Sequence, residues 1–276
     1  MTRIRRLDAL RGFAVCGIMV VNTWQHSGTQ ERLIEGFLQG RFYPIFSALF
    51  GVSFVLILRG SSRWMLLRRL LWLFCFGVIQ HTFYPGEVLT DYAFWGALAL
   101  LPASFLPGLA VLALGVAAVG VAIWQGGGAA LIPGLLLAGM AIMELRPPGR
   151  LLPYAFVSSA LLSGCLVWGW LSTGSWLLFT LSALSGAAAY ATGFLLLPPF
   201  PPLERMGRMA LTNYLSGTVV IALTHGPVWT VAGLTLAVQA AVSWWWLSAF
   251  RYGPLEWVWR CLTRLERVPN RRILQE

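Results

Sequence analysis

The sequence predicts an all-α protein, a polytopic transmembrane helical bundle of about ten helices, from three observations. Hydrophobic residues make up 58% of the 276 positions and charged residues 11%, about half the charge that a soluble domain carries on its surface. The mean hydropathy is +0.71. The apolar residues also fall into runs close to the ~20 residues that a membrane span takes, with the charges gathered in the short stretches between them. Residues 1–276 read as a single transmembrane domain with an amphipathic tail over 251–276.

The first apolar run, Leu10–Gln25, follows Arg3, Arg5 and Arg6. This imitates a signal peptide, but no small-x-small cleavage site follows and further spans come after it, so a retained first helix is expected. Spans two to four are expected over Phe42–Leu58, Leu67–Phe83 and Leu89–Phe105. Leu106–Gln125 and Ala129–Met143 are the fifth and sixth, either a tight hairpin around Gly126, Gly127 and Gly128 or partly re-entrant. Tyr154–Leu171 and Trp176–Leu197 follow. Leu197–Pro202, with four prolines, is expected to be a rigid cytoplasmic linker. Met209–Thr224 and Trp229–Phe250 complete the ten. Beyond them Pro254 suits the first turn of a helix. Leu255, Val258, Trp259, Leu262 and Leu265 then share one face, with Arg260, Arg264 and Arg267 off it. That pattern predicts an interfacial amphipathic helix on the inner leaflet.

The net charge is +10 and all 20 cations are arginine. They are spread over short loops and one tail, so they form topology signals and contacts to anionic lipid, not a nucleic-acid groove. With ten spans and the N-terminus inside, the inner segments hold Arg3, Arg5, Arg6, Arg59, Arg63, Arg68, Arg69, Arg146, Arg150, Arg205, Arg208 and the tail from Arg251 to Arg272. The outer loops hold only Arg32 and Arg41, against Glu31, Glu35, Glu87 and Asp91. An odd span count breaks this positive-inside pattern. Both termini are therefore expected in the cytoplasm. Cys16, Cys75, Cys165 and Cys261 all lie in apolar runs or the basic tail, which predicts packing residues and no disulfides. No Cys/His metal spacing occurs.

Chemistry-bearing residues concentrate first on the opening helix. At 100° per residue, Asp8, Arg11, Asn22 and His26 fall within roughly a 60° arc, and Asp8 to His26 rises about 27 Å, close to the hydrocarbon thickness. Polar groups at that depth must face protein or water. They form either a lined passage or a structural ion pair with an interhelical asparagine. His81 ends the third span, and a short turn carrying Glu87 and Asp91 is expected to fold back over it, making an imidazole oriented by a carboxylate. By topology His225 shares a side with His26 and His81, but the spacing gives no support to a three-histidine zinc site. In the ninth span Asn213, Ser216, Gly217, Val220 and Thr224 share a face, either as small-residue packing or as a second wall of the passage. Arg208 with Arg205 suits a phosphate at the inner mouth. Arg41, a rare outer cation, either binds an anionic substrate group or snorkels.

Leu7-Asp-Ala-Leu-Arg-Gly-Phe-Ala14 with Asn22 resembles the opening of the YeiB family, bacterial inner-membrane proteins of unknown function. Arg41-Phe-Tyr-Pro-Ile-Phe-Ser-Ala-Leu-Phe-Gly51, His81 with Glu87-Val-Leu and Tyr92, Gly207-Arg-Met-Ala-Leu-Thr-Asn-Tyr-Leu215 and Gly253-Pro-Leu-Glu-Trp-Val-Trp-Arg260 are similar to further signatures of that family. The likeness covers both ends of the chain; residues 105–195 match in hydropathy alone. That family in turn resembles the transmembrane acyltransferases, including the acyltransferase-3 enzymes and the heparan glucosaminide N-acetyltransferases. The acyltransferase-3 pattern has a histidine where this chain has Asn22, so His26 or His81 takes that role here, and Glu87 stands in for the family's aspartate.

The resemblance implies acyl transfer from a cytoplasmic acyl-CoA or similar thioester, as co-substrate, to a hydroxyl or amine outside, with no tightly bound cofactor and no metal. Its implied catalytic residues are His81, Glu87, His26 and Asn22. Donor and substrate contacts fall to Asp8, Arg11, Arg41, Arg208, Asn213 and Tyr214. Membrane lipids and further copies of the chain are its expected partners, in a bacterial cytoplasmic membrane. A permease for a small amphipathic solute and a non-catalytic scaffold are the other readings of the same polar face.

Overall fold

The structure is a computed structural model that describes residues 4–271. Arg3 and Arg272, both part of the expected charge pattern, lie outside the described residues. In chain order the helices are α1 (Arg5–Ser27), α2 (Arg32–Phe37), α3 (Phe42–Leu58), α4 (Arg63–His81) and α5 (Leu89–Trp95). A π-helical turn, Gly96–Leu100, carries α5 into the short α6 (Leu101–Ala103). Then come α7 (Gly108–Trp124), α8 (Ile132–Leu145), α9 (Leu152–Thr173), α10 (Trp176–Leu196), α11 (Pro201–Arg208), α12 (Ala210–Leu223), α13 (Val228–Ala249) and α14 (Pro254–Arg264). Among the described residues there is no strand, and one isolated bridge pairs Phe250 with Arg271.

Each expected span is helical, and six stretches are long and apolar enough to cross a membrane: Arg5–Ser27, Arg32–Leu58, Gly128–Leu145, Gly149–Thr173, Trp176–Leu196 and Val228–Ala249. The rest depart from that standard for local reasons. The first two turns of α4 carry Arg63, Arg68 and Arg69. The π-helical turn interrupts the fourth segment. Helices α7 and α12 are apolar but short. The expected proline linker is also corrected. Only 197–200 are non-helical, because Pro201 and Pro202 fill the first positions of α11, where a missing N–H costs nothing.

The chain divides into two compact units. One comprises Met1–Glu31, Leu71–Thr90 and Pro199–Glu276, the other Arg32–Leu70 and Asp91–Pro198. In the first unit α1 packs against α11, α12 and α13. Gly12 of α1 meets Gly207 of α11 so closely that a Cβ on Gly12 would overlap the Leu203 carbonyl, and one on Gly207 the Asp8 carbonyl. This is the small-residue crossing that lets membrane helices approach backbone to backbone. Arg5 Nε donates to Glu204 Oε2 at 2.8 Å beside it.

In the second unit α3 crosses α8 by the same device, with Gly51 against Leu136 and Gly139 against Ala48. Ser47 Oγ donates to the fully buried Tyr92 Oη at 3.0 Å, tying α3 to α5. The fifth and sixth spans form a hairpin, since Gly126, Gly127 and Gly128 all take positive φ (102°, 78° and 63°) and reverse the chain in three residues. Gly174 (φ 67°) turns α9 into α10, which pack together. Only 6% of the most apolar window of α9 is buried. Its Tyr154, Val157, Leu161, Trp168 and Leu171 are exposed, so most of its apolar surface is uncovered by the rest of the chain.

Candidate functional site

Helix α1 carries its polar residues from end to end of the first unit. Near its start Arg11 Nη1 donates to Asp8 Oδ1 at 2.8 Å, an i,i+3 ion pair in which Asp8 is buried. Near its end Gly28, with φ 65°, closes the helix and leaves His26 exposed in the last turn. There the His26 and His225 rings lie 6.0 Å apart, centroid to centroid. Between these ends Asn22, Val15, Ile18 and Met19 line a cavity shared with Asn213, Tyr214, Thr218 and Ile221 of α12. Its volume of about 10 Å³ is that of one water.

The broken helix α11–α12 forms the other wall. Met209 (φ −110°, ψ 31°) interrupts it. Asn213 Nδ2 bridges the break, donating to Met206 O and to Ser243 Oγ of α13, both at 3.1 Å. Gln239 Nε2 donates to Asn213 O at 2.7 Å, and Gln80 Nε2 to Thr218 Oγ1 at 2.8 Å. The Oε1 atoms of Gln80 and Gln239 are buried with no hydrogen-bond partner among the described residues. The interior beside α1 is thus an uncharged polar network with two acceptors to spare. The expected α12 face is rotated: Asn213, Tyr214, Gly217 and Thr218 point inward, while Ser216 and Thr224 are exposed. An asparagine bonding across the helix break decides that orientation, which small-residue periodicity alone misplaced.

His81 and Glu87 are not brought together by hydrogen bond or ion pair. His81 is exposed at the end of α4. Glu87 is buried and holds its own turn: Oε2 accepts from Leu89 N at 2.6 Å and Thr90 N at 3.1 Å, and Oε1 accepts from Thr90 Oγ1. Backbone donors at the start of α5 outcompete an imidazole across the loop, because a carboxylate at a helix N-terminus meets several free N–H groups at once.

Arg205 and Arg208 are both tied to the chain around the end of α13. Arg205 Nη1 donates to Trp244 O at 2.9 Å with its guanidinium 3.5 Å above the Trp244 ring, and Arg208 Nη2 donates to Arg251 O at 3.0 Å. Arg41 belongs to the second unit, where it is 2% exposed.

Sequence reasoning missed Glu256. Its carboxylate accepts from Thr212 N at 3.0 Å and Thr212 Oγ1 at 2.6 Å, fastening α14 to the first turn of α12. Burial pushes this carboxyl above its ordinary range, against the opposing pull of the Thr212 bonds. With Trp259 and Thr263 it makes the protein-facing stripe of α14, while Val258 and Leu265 are exposed. The amphipathic helix is therefore docked on its polar-aromatic stripe, and part of the expected apolar face points outward. The histidine pair had one signal in the sequence, the topology that put every histidine on one side. The two buried glutamines had another, an amide inside an apolar run. Among the described residues no cluster of three or more His, Cys, Asp or Glu could hold a metal.

Residues 149–266 match the family described as protein of unknown function (DUF418). An uncharacterized 39.9 kDa protein encoded in an amylase 3′ region of Bacillus acidopullulyticus is 33% identical, over 97% of this chain and 95% of its own length. The uncharacterized protein YxaH of Bacillus subtilis (strain 168) is 39% identical over 23% of this chain and 19% of its own length. No solved structure matches. The family match begins in the stretch whose likeness was one of hydropathy alone, and it runs through both C-terminal signatures that Thr212 and Glu256 join. By its full-length relative and by this match, the chain belongs to the DUF418 family of membrane-type helical proteins, whose function is unknown.

Proposed function

We propose that this protein is a membrane-embedded acyltransferase, moving an acyl group from a cytoplasmic acyl-CoA-type donor to a hydroxyl or amine on the far side. The observation that carries this reading is the polar face of α1, with the Asp8–Arg11 pair at one end, Asn22 at a cavity midway, and His26 beside His225 at the other. In this reading the donor's phosphates meet Arg11 and Arg208, and its acyl arm follows the face past Asn213 and Tyr214. His26 takes the proton from the acceptor as its oxygen or nitrogen attacks the thioester carbonyl. Asn22, one turn away, donates to the oxyanion, and the thiolate leaves and is protonated. The geometry favours His26 over His81, because His26 shares the face with Asn22 while Glu87 is engaged by its own turn. The cavity is one water wide, so α1 and α12 must part to admit the arm.

Acetyl-CoA labelled on its acetyl group, given to the protein in nanodiscs with a panel of polar acceptors, tests this. Label should pass to an acceptor with release of free thiol. His26→Ala should slow it by about 10²-fold or more. A folded His26→Ala protein that keeps full activity moves the base to His81 or His225, and transfer surviving in the His26→Ala/His81→Ala/His225→Ala triple variant sinks histidine catalysis.

A permease for a small polar solute is the second reading. The helix break at Met209 and the spare acceptors of Gln80 and Gln239 favour it, since transport sites are built on discontinuous helices. Vesicles that dissipate a solute gradient while forming no covalent product select it.

A further inference from the structure

Arg41 lies in the second unit, and the inference drawn from it does not rest on acyl transfer. Its Cα is the N-cap of α3, but its side chain does not reach outward. It runs to Gly186, where an added Cβ would come within 2.5 Å of Arg41 Nε, 2.9 Å of its Cδ and 3.1 Å of Ser163 Oγ. Gly186 is the midpoint of the 21-residue α10, roughly 15 Å from either end at 1.5 Å per residue. Ser163 is likewise midway along α9. Both helices are long and apolar enough to span a membrane. The guanidinium therefore sits near mid-depth, where a cation is costly unless it is paired or hydrated.

Its surroundings supply little of what it needs. Nη1 donates to Gln39 O at 3.2 Å, one bond for a group that carries five donors. Among the described residues no ion pair includes Arg41. The ionisable group that faces it is the Tyr190 phenol, one turn beyond Gly186, whose Oη donates to Phe37 O at 2.7 Å. A neutral phenol is no counter-ion. Two of the positions beside the guanidinium are small or polar, Gly186 and Ser163. Gly186 in particular leaves room where any side chain would press on the guanidinium. A snorkelling arginine needs no such recess, and one held at depth for structure alone is paired with a carboxylate or with several backbone carbonyls, where Arg41 has the one carbonyl of Gln39.

We propose that Arg41, in the recess left by Gly186 and flanked by Tyr190 and Ser163, is an anion-binding site that takes the carboxylate or phosphate of an amphipathic molecule. A fixed planar fork of donors suits two-oxygen recognition of either group. The exposed apolar surface of α9 suits a ligand whose acidic head is carried on an apolar tail.

The test uses the full chain in a neutral maltoside detergent, with thermal unfolding followed as ligand is added. Dodecanoate should raise the midpoint of the wild-type protein and dodecanol should not. Arg41→Met should weaken the apparent affinity for dodecanoate by at least about tenfold, the loss of one charge-assisted contact. Gly186→Ala, which keeps the charge but displaces the guanidinium, should do the same and serves if Arg41→Met does not fold. The shift with inorganic phosphate alone would identify a water-borne anion. Stabilisation in phosphatidylglycerol nanodiscs over phosphatidylcholine ones, lost in either variant, would identify a lipid headgroup. Both keep the site. Equal dodecanoate shifts in wild type, Arg41→Met and Gly186→Ala, or no shift with any acidic ligand in the wild type, would overturn it.

Discussion

Glu256 shows how one side chain can fix an element in place and make its stability depend on pH. It accepts from the backbone and side chain of Thr212, satisfying donors at a helix start that have no partner within the helix. Burial nonetheless holds its pKa above the ordinary 4.5. A carboxyl raised in the folded state favours folding while protonated. That contribution is complete below the unfolded value and is lost as pH rises through the folded one. The thermal midpoint of the wild-type protein should therefore fall as pH is raised from about 4.5 through the folded pKa, while Glu256→Gln, which cannot ionise, should lack that part of the fall. Glu256→Ala should be destabilised by about 1–3 kcal/mol at every pH, because it strands the Thr212 N–H. Circular dichroism melts of the three proteins across a pH series separate these outcomes. None of this was legible in the sequence, where Glu256 is one acid in a basic tail. Asn22 and His26 were legible, because a helical face is a local property set by spacing. The contacts of Glu256 with Thr212 and of His26 with His225 depend on how distant segments meet.

Among the elements, the strings that look most like signatures turn out to mark helix crossings. Gly12 and Gly207 stand in two of them and meet each other. Gly51 closes a third and meets α8, and Ser47 of the same string holds Tyr92. These glycines are present because a backbone lies where a Cβ would be. Gly207→Ala should then force α1 and α11 apart, a steric loss of about 1–3 kcal/mol or more, since the obstructing atoms are carbonyls that cannot rotate away. Gly164→Ala and Gly233→Ala, whose Cβ atoms would meet nothing within 4 Å, should stay within about 1 kcal/mol of wild type. Equal losses in all three variants, measured by thermal unfolding in detergent, would remove the crossing as the cause. Hydropathy found nearly every helix, since length and apolarity are written residue by residue. It did not find the break at Met209 or the π-helical turn after Trp95, because these depend on the tertiary partners that take over the freed backbone groups.

At the scale of the whole molecule, the arginines make a claim about orientation that the helices alone do not. Six helices are long and apolar enough to span, and α4 owes its exclusion to arginines at one end, which is where a positive-inside signal belongs. If α4 enters the membrane from that end, Ser61 before it lies in the cytoplasm. With ten crossings Gly149 lies inside as well, and Ser175, at the turn between α9 and α10, lies outside. Single cysteines at these positions, in a background where Cys16, Cys75, Cys165 and Cys261 are serine, can be probed in intact cells with a maleimide that does not cross membranes. Ser175→Cys should label at once, and Ser61→Cys and Gly149→Cys only after the cells are opened. Labelling of Gly149→Cys in intact cells, with Ser61→Cys still protected, would mean that an odd number of crossings lies between them. The uninterrupted hairpin of α7 and α8 adds an even number and cannot change the side. The fault would then lie in the segment that the π-helical turn divides, Leu89 to Ala103, which would have to enter and leave by the same face. His26 and His225 would also fall on opposite sides of the membrane in that case, unless a compensating crossing were lost after α8. Their rings are 6.0 Å apart, so the labelling result also bears on whether the polar face of α1 ends outside the cell, where an acceptor would be met.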